Sequence, residues 1–191
     1  MSPDNALYAL WLLWLVSWHA AMFWTSRVTR RDQSMRRPIT LILAILGFAV
    51  LLGFNRVRDT KLVLAWQAAP ALKWTMVAGV ALAFAFMWWA RIHLGRLWSG
   101  SIVLREGHRV VDSGPYGLVR HPVYTGLIVA GVCTLVIKGT WIAVAGLAIV
   151  IIAFYFKARA EERFLTSEFG SAYDDYRKRV PMLVPFWPNS P

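Results

Sequence analysis

The sequence predicts an all-α fold: a polytopic membrane helical bundle of about five transmembrane helices, forming one domain over residues 1–191. Three observations predict it. The chain is 58% hydrophobic, with a mean hydropathy of +0.48 and eleven tryptophans, where a soluble domain is closer to half apolar and poorer in Trp. Five windows run apolar for close to the ~20 residues a bilayer requires. The basic residues gather between those windows, where topology signals sit.

Taken in order, the first span is 6–24 (ALYALWLLWLVSWHAAMFW). No basic residue precedes it and its body is rich in Trp, so it does not read as a cleavable signal. The second is 38–54 (PITLILAILGFAVLLGF) and the third 70–90 (PALKWTMVAGVALAFAFMWWA). The fourth, 122–137 (PVYTGLIVAGVCTLVI), and the fifth, 140–156 (TWIAVAGLAIVIIAFYF), are separated by Lys138-Gly139 alone. So short a link makes them an antiparallel hairpin. Gly126, Ala130 and Gly131 are small enough for close helix packing, although a stripe of small residues also suits a slot for a lipid tail. The single Cys133 lies in an apolar run, so no disulfide or metal framework is expected. No strand–GxGxxG–helix unit occurs, so no Rossmann domain is expected.

The net charge of +11 is a topology signal more than a nucleic-acid footprint, and no nucleic-acid partner is expected. Segments 25–37, 91–121 and 157–191 hold sixteen of the 21 Lys and Arg, and the alternate connections hold five. Basic residues mark the cytoplasmic side. The chain therefore reads as N-out and C-in, with segments 91–121 and 157–187 sharing the cytoplasmic face. The last stretch, PMLVPFWPNSP, has four prolines, cannot continue a helix and is expected along the membrane surface.

Two stretches carry chemistry. In GPYGLVRHPVYTG (114–126), Gly114-Pro115 signals a turn. His121 is pushed out of the helical region by the proline that follows it. Pro122 suits the first position of a helix, so the fourth helix starts there with free N–H groups around Val123, Tyr124 and Thr125. A helix start flanked by Arg120 and His121 is a place for a carboxylate or phosphate. Arg and His at a membrane edge equally suit lipid headgroups. In FYFKARAEERFLTSEFGSAYDDYRKRVP (154–181), a helix runs out of the membrane to about Phe169, with Gly170 as its C-cap. Lys157, Glu161, Leu165 and Glu168 share one face. The Glu161-Glu162 pair needs partners near lipid; Lys157, Arg159 and Arg163 are the nearest in sequence. A solvated, salt-bridged helix end is the alternative.

Together these stretches, in this order around a short apolar hairpin, resemble the isoprenylcysteine carboxyl methyltransferase family. ARIHLGRLWSG and HRVVDSGPY, which precede them, are similar to its bacterial members. The resemblance covers residues 90–187. It implies an S-adenosyl-L-methionine-dependent methyltransferase whose cofactor binds at the cytoplasmic membrane face. By position it implies cofactor contacts from His108, Arg109, Val110, Val111, Tyr116, His121, Pro122, Val123, Tyr124 and Glu161. It places catalytic roles on Lys157, Glu161 and Glu162, with Lys157 toward the substrate and no metal. The family carries arginine at the position of Lys157, and lysine lacks the bidentate fork that grips a carboxylate.

The acceptor implied is lipophilic or membrane-associated, by resemblance an isoprenylcysteine-type carboxylate. An aminophospholipid N-methyltransferase and a small-thiol S-methyltransferase share the same motifs and stay open. A carboxylate acceptor needs no general base; an amine or thiol does, and Glu162 and His93 are the candidates. Readings of another class are a non-enzymatic membrane protein and an NADPH-dependent membrane reductase. The expected setting is a bacterial inner membrane, with the protein a monomer in the bilayer.

Overall fold

The helices begin and end where the local sequence supplies caps. In the computed structural model, which describes residues 1–21, 28–31, 36–53, 65–95, 103–105 and 110–186, α1 covers Pro3–Ala20. The Ser2 side chain caps it by accepting from the Asn5 amide at 3.2 Å, with Pro3 and Asp4 in the first turn, as helix starts favour. Helix α2 covers Arg36–Gly53 and α3 covers Pro70–Leu94. Helix α5 runs Pro122–Lys138, starting at the predicted proline, and ends at Gly139 with φ +62°. Helix α6 runs Trp141–Phe169 with Thr140 as N-cap, its side chain accepting from the Ala143 amide. Gly170, at φ +54°, ends it as predicted and leads into α7, Ser171–Arg179, a helix not foreseen in the sequence. A one-turn helix α4, Pro115–Leu118, follows Gly114, which has φ +57°.

The fold is all-α as expected, with one short ribbon beside the helices. Strand β1 (Val28–Arg31), between α1 and α2, pairs antiparallel with β2 (Val103–Arg105), between α3 and α4. Val28 faces Arg105 and Arg31 faces Val103, with an irregularity between Val28 and Arg30. Both connections leave the bundle at the same end, where backbone groups outside helices need partners.

The five long helices alternate in direction. At one end, Lys73 pairs with Asp4 at 3.5 Å, the Tyr8 hydroxyl reaches the Leu52 carbonyl at 3.0 Å, and the Ala65 and Trp66 amides bond to Gly139. At the other, Arg91 donates to the Ala21 carbonyl and stacks over the Trp18 ring. The Lys138-Gly139 hairpin is less intimate than predicted. Helix α5 packs chiefly on α3, and α6 chiefly on α2. The reason is glycine. A Cβ on Gly146 would meet the Leu51 amide nitrogen at 2.6 Å, so the α2 and α6 backbones touch. A Cβ on Gly126 would meet Met87 at 2.3 Å. Close packing is therefore what Gly126 provides, and Cys133 is a buried packing residue against Gly79.

The core lies between α1, α3, α5 and α6 and includes Leu7, Trp11, Val80, Met87, Ala130 and Val150. The outward faces carry Leu12, Leu13, Ile42, Leu82, Val132 and Ile152, all exposed. Apolar faces of this extent fit lipid, and the molecule is an integral membrane protein. Helices α3 and α6 are long and apolar enough to cross a bilayer by themselves. At about 1.5 Å per residue, α6 exceeds the bilayer's hydrocarbon thickness. Its apolar part ends at Phe156, and Lys157–Phe169 projects beyond.

Candidate functional site

The projecting turns of α6 lie beside the start of α5, and the polar residues of both converge. His121 is the residue before α5, held non-helical by Pro122 at φ −123° and ψ 65°. Its Nδ1 lies 3.4 Å from Glu161 Oε2 and its Nε2 lies 3.4 Å from Glu162 Oε1. The Tyr124 hydroxyl donates to Glu161 Oε1 at 2.5 Å. The Tyr124 ring stacks on His121 on one side and on Phe154 on the other, with interplanar angles of 9° and 13°. The Lys157 ammonium sits 5.1 Å from the centre of the same ring. Four residues named from the sequence, His121, Tyr124, Lys157 and Glu161, thus form one cluster.

Glu162 is 3% exposed and faces Arg120, whose Nε and Nη2 both reach Glu162 Oε1 at 2.6 Å. The expected partners Arg159 and Arg163 are exposed instead, because they lie on the outward side of α6. In the sequence Arg120 is only a charge flanking the expected site, because its pairing with Glu162 across 42 positions leaves no local signal.

The charges follow from this geometry. Burial works against the charged form of His121, but the two carboxylates outweigh it and raise its pKa above the ordinary value. Burial likewise opposes the ionised form of Glu161; His121, Lys157 and the Tyr124 hydroxyl more than offset it and hold the pKa down. For Glu162, burial is overcome by His121 and Arg120, and its pKa falls to about 2. An imidazolium, a donor at both ring nitrogens, suits two flanking carboxylates. With His121 protonated, Arg120, His121 and Lys157 against Glu161 and Glu162 leave one net positive charge.

The remaining expected residues are placed differently. Tyr116, in α4, is held through its carbonyl, which accepts from the Tyr176 hydroxyl at 2.7 Å. Burial first, then the nearby Tyr176 and Glu161, raises the pKa of its phenol, so it stays neutral. Val110 packs on a separate cluster of Tyr173, Tyr176 and Val180, and Val111 is half-buried. Pro122 is buried, and Val123 turns to the main core. His108 and Arg109 lie outside the described residues. His93, weighed as a base, instead contacts Ser113 Oγ at 3.0 Å and lies against Gly114.

Glu162 Oε2 is buried with no hydrogen-bond partner among the described residues, and His121 Nε2 has only its 3.4 Å approach to Glu162. Buried polar groups are ordinarily paired. Acceptors of this kind suit an ammonium or ribose hydroxyl, and an imidazolium suits a carboxylate. The donor set therefore fits S-adenosylmethionine, which presents all three.

A helical bundle with apolar outer faces and a part-buried carboxylate–imidazole–phenol cluster at one end is an integral membrane protein with a candidate polar ligand site there. Residues 75–167, which include most of that site, match the family model described as the isoprenylcysteine carboxyl methyltransferase (ICMT) family. Over that segment, just under half of its length, the chain is similar to the ICMT family. It is 36% identical over 100 residues to protein-S-isoprenylcysteine O-methyltransferase B of Arabidopsis thaliana, covering 51% of each chain. It is 43% identical over 72 residues to methanethiol S-methyltransferase 2 of Bradyrhizobium diazoefficiens, covering 37% of this chain and 26% of that one. It is also 31% identical over 155 residues to the cobalt-zinc-cadmium resistance protein CzcN of Cupriavidus metallidurans, covering 78% of this chain and 61% of the relative. The chain spans about half the length of the O-methyltransferases it matches. Its fold is similar to the solved structure of the eukaryotic intramembrane Ras methyltransferase ICMT, with TM-score 0.55, 22% identity, and coverage of 81% of this chain and 54% of that one.

Proposed function

We propose that this protein is an S-adenosylmethionine-dependent methyltransferase acting on a lipophilic or membrane-associated acceptor. One observation carries the reading. His121 and Tyr124 at the start of α5 meet Lys157 and Glu161 on α6 in one part-buried cluster inside the segment that matches the ICMT family. When bound, S-adenosylmethionine would supply a methyl group on a sulfonium: the acceptor lone pair would bond to that methyl carbon in line as the S–CH3 bond breaks and the neutral thioether leaves. The protein's share is to bind, align and exclude water.

Glu161 accepts from the cofactor's amino or ribose groups, and His121 offers an imidazolium to its carboxylate. The Tyr124 ring, fixed between His121 and Phe154, holds the hydroxyl that orients Glu161. The family resemblance adds Tyr116 and residues 108–111 as further candidate cofactor contacts. Lys157 faces the acceptor and, with the site's net positive charge, favours an anionic head. That supports a prenylcysteine-type carboxylate, which is already ionised and asks for no base. The acceptor enters from the bilayer, because the cluster sits where α5 and α6 leave their apolar portions.

Sidedness follows from charge. The alternating helices put segments 25–37, 91–121 and the tail at one end, and these hold most of the basic residues. That end faces the cytoplasm, in the setting expected a bacterial inner membrane with the chain as a monomer.

The test is transfer of label from S-adenosylmethionine tritiated on its methyl group, using detergent-purified protein. A farnesylated cysteine analogue, a small alkanethiol and an aminophospholipid are offered separately. The expected product is a methyl ester on the farnesylcysteine analogue, releasing tritiated methanol in base. Label on the thiol alone moves the acceptor to sulfur. Label on no acceptor would favour the non-enzymatic reading.

A further inference from the structure

The segment that carries His121 is fastened from outside by the end of the chain. Four consecutive carbonyls, Val180 to Leu183, accept hydrogen bonds from Arg120–Thr125. Arg120 Nη1 donates to the Val180 carbonyl and, at 3.0 Å, to that of Arg177. The Arg120 amide donates to Pro181 at 2.8 Å and the His121 amide to Met182 at 3.1 Å. The Thr125 hydroxyl donates to Leu183 at 2.7 Å. The Arg120 side chain is 8% exposed, and its other nitrogens hold Glu162. One guanidinium therefore ties α6, α7 and the strap at 180–183 to the residue before His121.

We propose that Arg120 and this strap are the positioning device of the site, with Glu162 fixed by it through Oε1 and its other oxygen left to the ligand. The inference rests on the methyltransferase reading for its ligand. His121 precedes a proline, so its own conformation is set by φ and ψ that no helix enforces. Its amide has no helical carbonyl to bond to, and the strap supplies one. Without the strap, the imidazole's place between Glu161 and Glu162 is left to side-chain contacts at 3.4 Å. Glu162 spends one oxygen on the guanidinium, which is the geometry of a fixed charge pair. The role of the tail beyond α6 is then to hold α5's first turn.

Four variants test this: Arg120→Gln, Arg120→Lys, Thr125→Val and, at a buried hydrogen bond away from the site, Thr134→Val. Thr134 receives the Trp11 indole N–H at 3.1 Å. The readouts are S-adenosylmethionine Kd by calorimetry, melting temperature in detergent, and hydrogen exchange of the 116–127 segment without ligand. Thr125→Val, losing one hydrogen bond worth about 1 kcal/mol, is expected to weaken Kd about fivefold and to speed exchange at 116–127. Thr134→Val is expected to lower the melting temperature and leave Kd and that exchange unchanged. Arg120→Gln loses stability and affinity together. Arg120→Lys regains the melting temperature, since an ammonium still neutralises Glu162, but not Kd, since it cannot also reach two carbonyls. Faster exchange in the strap variants, with no wild-type binding, upholds the positioning device and overturns the methyl-donor reading. Wild-type Kd and exchange in both Thr125→Val and Arg120→Lys overturn the device.

Discussion

His121 sits between two carboxylates, and its charge makes the pH behaviour of the site predictable. Its pKa is raised, so its contribution to stability is complete below the ordinary 6.5 and is lost as pH rises through the raised value. Glu161 and Glu162 are lowered, so theirs is complete above the ordinary 4.5 and is lost as pH falls through the depressed values. The cluster therefore stabilises the fold most between pH 4.5 and 6.5. The melting-temperature gap between wild type and His121→Gln in detergent is expected to be widest in that window and to narrow above it. A gap independent of pH would contradict this. Glu162→Gln strands Arg120 in a buried pair, and about 3–5 kcal/mol of stability should be lost; chemical denaturation checks it. At this scale the sequence was informative where chemistry is local. His121-Pro122 and the Lys157/Glu161 face could be read from neighbours one turn apart. Arg120's role could not, because its partners lie on α6, α7 and the strap.

Helix packing sets where those residues meet. Helix α6 reaches the site by lying against α2 with backbones in contact at Gly47 and Gly146, and α5 reaches it against α3 at Gly126. Gly146→Ala places a methyl 2.6 Å from the Leu51 amide nitrogen, which cannot move aside. Gly79→Ala meets the Cys133 sulfur at 2.8 Å, and that side chain can turn. The first should cost about 1–3 kcal/mol and the second clearly less, by melting in detergent. Equal effects would show that α2 and α6 are not so closely joined. The helix ends were legible, since Pro122, Gly139 and Gly170 are punctuation that acts locally. The choice of partner was not. A two-residue link fixes the direction of α6 relative to α5, while glycines on distant helices decide which surface each one buries. The β1–β2 pair was invisible for a similar reason. Two short stretches acquire partners only because the bundle brings both connections to one end.

For the molecule as a whole, alternating helix direction and uneven charge give an orientation that labelling can test. Gln67→Cys, before α3, and Ala172→Cys, in α7, are exposed positions at opposite ends, and the native Cys133 is buried. A membrane-impermeant maleimide on intact cells should label Gln67→Cys and should reach Ala172→Cys only after permeabilisation. The reverse pattern would place the site on the outer face. The most direct test of the central claim is a calorimetric titration of S-adenosylmethionine into the purified wild type, Glu161→Gln and His121→Ala. Saturable one-site binding by the wild type, lost in both folded variants, is the predicted result. No binding by a well-folded wild type would contradict the claim that this cluster is a methyl-donor site.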